Sequence, residues 1–199
     1  MPALDFAQQL KAKFGDALSG PLEFRGEITL ELADPERIAE VCAWAKSQLG
    51  FDYLLDISSV DNYGSDPRWT VVYELSGLGP AQSPSKGPAH LRLKTSVSEA
   101  RSELPTVTGV WRTADWHERQ IYDMMGIRFR GHPDLRRSLM WEGYPYFPLR
   151  KDFPLAGKPA DLPEVAFTRP APLEGGPFVT LPGGKDSQAR EPRVRDPQA

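Results

Sequence analysis

Residues Trp116–Leu155 read WHERQIYDMMGIRFRGHPDLRRSLMWEGYPYFPLRKDFPL. The stretch opens with a helical pattern that stops at Gly126, where a residue without Cβ takes the left-handed conformation that closes a helix. Beyond it, Gly131, Pro133, Gly143, Pro145, Pro148 and Pro154 fix φ or remove backbone donors too often for a helix to continue, so the chain must run extended with tight turns. The same segment carries Ile127, Phe129, Leu135, Leu139, Met140, Trp141, Tyr144, Tyr146, Phe147, Leu149 and Phe153, more apolar and aromatic surface than a solvated linker holds. A helix followed by an extended strap that needs something to lie against is the expectation.

Its charge points the same way. From Arg119 to Asp152 seven basic residues face four acidic ones, a net of +3, while the whole chain is −3 and the remainder therefore −6. On the helix, Ala114, Ile121 and Met125 share an inward face with His117 close by, and Glu118, Tyr122 and Met125 form an adjoining row. Arg119 and Asp123 stand one turn apart, but such a pair contributes only about 0.2–0.5 kcal/mol when exposed, so local helix stability does not account for this much charge. A reach to another segment or another subunit does. Buried charges need partners, and arginine's planar fork suits it to docking on carboxylates.

Upstream, Leu4, Phe6, Ala7, Leu10, Phe14 and Leu18 recur at helical spacing and predict a helix ending near Ser19-Gly20-Pro21. Leu22 to Leu32 alternates and reads as one strand bent or bulged at Gly26. Asp34-Pro35-Glu36 is a helix start, followed by a helix over 35–49 that buries Ile38, Val41, Cys42, Ala45 and Leu49 and ends at Gly50. Phe51 to Val60 reads as a central strand with Tyr53, Leu55 and Ile57 on one side and Leu54 opposite. The turn at 61–67 then joins it to Trp69–Leu75 in a hairpin. A loose loop from Gly77 to Pro88 leads to the alternating Leu91–Val97. Leu104–Trp111 is short, apolar and β-branched, and Thr113 or Asp115 can cap the helix that runs to Met125.

The fold class is therefore α+β, with a mixed sheet of four or five strands covered by helices. Twenty prolines are about twice average usage, and twelve of them fall after residue 130. The compact domain is expected over 1–130, the docking strap over 131–160 and a Pro/Gly-rich tail over 161–199 with a disordered end.

Composition narrows function. No run of apolar residues is long enough to span a membrane and no secretory signal is visible. A pI near 5.7 argues against generic nucleic-acid binding. Cys42, the single cysteine, reads as a small core residue and excludes an internal disulfide. A cluster or structural zinc needs about four ligands, which this chain does not supply alone. Among His90, His117 and His132, only His117 and His132 with Glu118 approach a metal constellation, without the spacing that would align them. Asp56 and Asp61 suggest paired carboxylates for acid–base work, against turn and strand-end roles. No nucleophile elbow or phosphate loop is present.

Three runs carry a resemblance: ERQIYDMMGI from Glu118 to Ile127, GHPDLRR from Gly131 to Arg137, and PLRKDFPL from Pro148 to Leu155. In this order and spacing they resemble the thirty-kilodalton, or C-type, subunit family of respiratory complex I, the proton-pumping NADH:quinone oxidoreductase. The family has a second Glu where this chain has Gln120, and a Gly-His pair where it has Tyr146 and Phe147. The resemblance implies a cofactor-free structural subunit of the hydrophilic arm, peripheral on the cytoplasmic side of the cell membrane and touching that membrane only through the complex. FMN and iron–sulfur clusters would sit in partner subunits. The main partner would be the forty-nine-kilodalton-type quinone-site subunit, with cluster-carrying subunits near. The expected interface residues are Glu118, Arg119, Asp123, His132, Asp134, Arg136, Arg137, Arg150, Lys151 and Asp152. The alternatives are an equivalent subunit of a membrane-bound hydrogenase-type complex, or an independent small-molecule enzyme using Asp56, Asp61 or Glu118.

Overall fold

The chain opens with helix α1, Pro2–Phe14, whose Phe6, Ala7, Leu10 and Phe14 are buried. It ends earlier than the apolar spacing suggests. A 3₁₀ turn over Gly15–Ala17 follows, and Leu18, the last residue of the helical pattern, instead begins strand β1, Leu18–Phe24. The protein is described by a computed structural model over residues 2–77 and 89–154. The expected loop up to Pro88, beyond Gly77, and the tail over 161–199 lie outside these residues.

Strand β2, Glu27–Leu32, pairs antiparallel with β1. The single bent strand read from the alternation is thus a hairpin. Arg25 and Gly26 both take positive φ, 52° and 82°, the two-residue turn whose twist matches that of its strands. Asp34 accepts a hydrogen bond from the Glu36 amide and starts a 3₁₀ turn over Pro35–Arg37. Helix α2, Ile38–Leu49, continues from it and closes at Gly50 in the left-handed region.

Strands β3, Tyr53–Asp61, β4, Trp69–Gly77, and β5, Ala89–Val97, complete a five-stranded sheet in the order β1-β2-β5-β4-β3. The β2–β5 pair is parallel and the others antiparallel, so the sheet is mixed. The β3–β4 hairpin forms as its turn chemistry indicates. β3 is however an edge strand, and β5 holds the centre because the chain returns from β4 to pair with β2. A register shift between Leu54 and Asp56 breaks strict alternation, turning Leu54 and Ile57 inward and leaving Tyr53 and Leu55 exposed.

Trp69, Val71, Tyr73 and Leu75 of β4, with Leu91, Leu93 and Val97 of β5, pack in the main hydrophobic core with α1 and α2. On the other face Glu31, Val60, Thr70, Val72, Lys94 and Ser96 line a shallow cavity of about 510 Å³. The remaining elements are strand β6, Glu103–Pro105, helix α3, Ala114–Met125, and strand β7, Arg128–Arg130, which pairs parallel with β6. Helix α3 packs along β3.

Residues 131–154 contain turns and bends but neither helix nor strand. They do not leave the body at residue 130. Met1–Gly157 forms one compact unit.

Candidate functional site

Helix α3 has Thr113 at its N-cap position, but Thr113 is itself helical in φ and ψ and makes no capping bond through its side chain. The helix closes at Gly126, φ 78°, whose N–H donates to the Tyr122 carbonyl. Two constraints meet at this glycine. A Cβ there would lie 2.5 Å from Arg150 Nη2 and 2.8 Å from two ring atoms of Phe147. The strap therefore passes directly over the end of the helix.

The helix charges are what hold it. Asp123 is fully buried. Its Oδ2 accepts from the amides of Ser138, Leu139 and Met140 at 3.0, 2.7 and 2.9 Å, and its Oδ1 from Arg137 Nη1 at 2.6 Å. Burial pushes this carboxyl up, but the amides and Arg137 outweigh it and hold the group below the usual aspartate range. Arg119 donates to the carbonyls of Arg136 and Arg137, each at 3.2 Å, and stacks on Trp116. Arg119 and Asp123 thus do not pair with each other. Each clasps the same strap segment, one by its carbonyls and the other by its amides.

A second attachment lies near the β3–β4 turn. The Arg68 and Asp61 side chains are nearly buried and joined by two bonds of 2.9 Å. Arg68 also reaches Glu99 at 2.6 Å and Asp152 at 3.2 Å, and Asp61 accepts the Lys151 amide at 2.8 Å. The hydrogen bond from Arg68 is the main cause that holds Asp61 low. Arg150 donates Nε to the Met125 carbonyl at 2.6 Å, where the C-terminal dipole of α3 favours a cation. Its guanidinium lies over Phe147 and Trp69, with centroid distances of 4.4 and 5.1 Å. Phe147 thus receives both Arg137 and Arg150 within about 5 Å of its ring centroid, where the negative face of an aromatic ring is favourable. The strap's aromatics also contact one another: Trp141, Tyr144, Tyr146 and Phe153 form a chain of ring contacts.

Glu118 differs from both clusters. It is fully buried on the inner side of α3, accepting from Val107 N at 2.7 Å and bonding Thr106 Oγ1 at 2.5 Å. Burial raises it to about 7 against the lowering effect of these two bonds, and Asp115 adds to the rise. No cation bonds it among the described residues. It ties α3 to the 106–108 turn. The fully buried Cys42 has its thiol pushed up by burial.

The remaining expected residues divide. Arg136 pairs with Asp134 at 2.8 Å on the surface. The His132 side chain is buried, its Nε2 3.2 Å from the Asp115 carbonyl. Lys151 and Asp152 are on the surface beside the Arg68 cluster. Asp56 pairs with His117 at 3.1 Å, apart from the Asp61–Arg68 pair, so Asp56 and Asp61 form no carboxylate pair. Among the described residues no group of three or more His, Cys, Asp or Glu is placed to hold a metal ion, and no helix is long and apolar enough to cross a membrane. Sequence reasoning missed Arg68, Glu99 and Trp69 as parts of this site. Arg68 follows an Asp-Pro turn dipeptide like any solvated arginine, and nothing local marks it as buried.

Residues 32–159 match the family described as the 30 kDa subunit of respiratory-chain NADH dehydrogenase. The second C-type subunit of NADH-quinone oxidoreductase from Rhizobium meliloti (strain 1021) is 48% identical over 142 residues, 70% of this chain and 74% of that one. The C-type subunit of the same enzyme from Geobacter sulfurreducens is 41% identical over 150 residues, 75% of this chain and 88% of that one. Among solved structures, the trypsin-resistant fragment of Nqo5 matches with a TM-score of 0.55 and 34% identity, covering 68% of this chain and 100% of the fragment. A chain of the membrane-bound sulfane sulfur reductase, an archaeal respiratory membrane complex, shares the fold at a TM-score of 0.63 and 20% identity, over 78% of this chain and 87% of that one. With a family match that runs from α2 through β7 and along the strap to residue 159, and relatives at this identity over most of both chains, the chain belongs to the thirty-kilodalton subunit family of respiratory-chain NADH dehydrogenase.

Proposed function

We propose that this chain is a structural subunit of the peripheral arm of NADH-quinone oxidoreductase, carrying no redox group itself and holding neighbouring subunits in place. In this reading NADH oxidation and electron transfer through FMN and iron–sulfur clusters belong to other chains. The principal neighbour is the forty-nine-kilodalton-type quinone-site subunit, with cluster-carrying subunits close by, on the cytoplasmic side of the membrane.

The observation that supports a docking role is the use of charge along α3. Asp123 and Arg119 clasp residues 136–140, and Arg150 anchors the following turns to Met125. A segment with no helix or strand is thereby fixed before any partner arrives, which lowers the ordering cost of association. The absence of a redox group is argued from Cys42, whose fully buried, poorly ionised thiol is a poor metal ligand.

Affinity purification of the tagged full chain from its own cells, with mass spectrometry of what accompanies it, tests the role. The quinone-site and cluster-carrying subunits are expected in stoichiometric amounts, and the separated chain is expected to be colourless. A chain that purifies alone, or that carries stoichiometric iron or flavin, would overturn the reading.

A further inference from the structure

The charges that the sequence offers as docking groups are largely engaged within the chain, which leaves open what a partner would touch. The inward positions of α3 are Ala114, Glu118, Ile121 and Met125, all buried. On the opposite side, Trp116 and Gln120 stand one turn apart and are exposed. The strap's polar ties fasten two more apolar residues to the same helix at Asp123 and Met124. The Leu139 amide is held on Asp123 and the Leu149 amide on the Met124 carbonyl, yet both side chains point outward. Trp116, Leu139 and Leu149 are 64%, 66% and 56% exposed. These are large apolar groups held by fixed backbone, not the loose side chains of a solvated turn.

The charge at the edge gives the partner's chemistry. Arg119 is buried and spends its donors on carbonyl oxygens; the half-buried Arg150 donates Nε to the Met125 carbonyl, and among the described residues it hydrogen-bonds no carboxylate. Lys151, two residues after Leu149, is exposed; its backbone amide donates to Asp61, and its charge acts on the same carboxylate. At the centre Gln120 is uncharged. Arg150 and Lys151 give the neutral, apolar centre a cationic edge on its strap side, which complements carboxylates beside an apolar patch.

We propose that the outer side of α3, centred on Gln120 and bounded by Trp116, Leu139 and Leu149, docks another protein chain that presents apolar side chains at its centre and carboxylates at its edge. This deepens the docking role proposed above and rests on it. The anchors are the three apolar side chains; Arg137 and Asp123 shape the surface from beneath.

The test introduces Trp116→Glu, Leu139→Glu and Leu149→Glu, singly and together, into the full tagged chain expressed in cells lacking the native copy. Because these side chains are exposed, the melting temperature of each separated variant should stay within about 2 °C of the parent. The combined variant should recover neighbouring subunits at roughly a tenth of the parental yield or less. Leu22→Glu with Phe24→Glu, on the exposed side of β1, should keep the parental yield. Carbodiimide treatment of the parental complex should join Lys151 to an Asp or Glu of another subunit. Parental recovery from the combined anchor variant would overturn the proposal, as would a lowered melting temperature, loss of partners only in the β1 variant, or no Lys151 crosslink. If the parent itself recovers no subunit, the docking role fails, and this surface with it.

Discussion

Asp123→Ala is the most direct test of how the strap is held. The substitution leaves three amide donors without their acceptor beneath a covered surface and takes from Arg137 its carboxylate partner, leaving it the main-chain carbonyl of residue 123. Removing one partner of a buried charged pair costs about 3–5 kcal/mol. If that cost falls on the closed strap, each 1.4 kcal/mol raises the open population about tenfold, so an increase of about a hundredfold or more is expected, until opening saturates. Trypsin reads this out, because Arg136 and Arg137 flank the clasped amides and cleavage of a rapidly reclosing segment follows its open population. The time course of cutting at these two arginines should therefore accelerate by about two orders of magnitude in the separated Ala variant. Asp123→Asn should fall between parent and Ala, since its carbonyl still accepts amides while its NH₂ group opposes Arg137. Cutting of the Ala variant within about twofold of the parent would refute the reasoning and show that other contacts hold residues 136–140.

Gly126→Ala should destabilise more than Gly131→Ala in urea unfolding. Both glycines have positive φ, which costs a side chain about 1–2 kcal/mol, but only at Gly126 would the new Cβ collide with Phe147 and Arg150. Equal losses would mean that the strap yields freely there. Arg68→Ala should cost about 3–5 kcal/mol by exposing a broken buried pair, whereas the surface Arg136→Ala should cost at most about 1 kcal/mol, both read from unfolding midpoints. Similar losses would put Arg68 in the wrong environment. The pH dependence has a definite sign. Glu118 is raised from 4.5 to about 7, so the folded state holds its proton more tightly. Its contribution is fully present below about pH 4.5 and is lost as pH rises through about 7. Glu118→Gln should flatten this fall, and an unchanged slope would refute the assignment. Asp61 and Asp123, held low, act oppositely, and their contribution disappears as the pH falls through their depressed values.

The motifs in Glu118–Leu155 were sufficient to point to the family, and the local chemistry marked most elements. Gly50 and Gly126 closed the helices they follow, because a left-handed helix end depends on a few neighbouring residues. The turn at 61–67 marked the β3–β4 hairpin for the same reason. Errors arose where alternation was read without its partners. The strand from Leu22 to Leu32 was two strands turning at Arg25-Gly26, and the bulge after Leu54 reassigned which β3 residues face inward. Nor did hydrophobic pattern distinguish edge from centre: β3 was expected inside the sheet and lies at its edge.

The charges divide most clearly. Sequence showed that Arg119 and Asp123 were too many charges for one helix to use locally, and that they reach elsewhere. Only the tertiary structure decided the destination, because their acceptors and donors at residues 136–140 are backbone groups, which carry no signature in residue type. Arg68 and Asp152 meet across 84 positions in the chain, and Glu118 is buried on a helix face where its neighbours in sequence include exposed Trp116 and Gln120. Secondary structure follows from short-range propensity and periodicity, which a sequence displays. Whether an ionisable side chain is solvated, paired or left without a counter-ion depends on which distant segments exclude water from it, and that is fixed only when the strap closes over the helix.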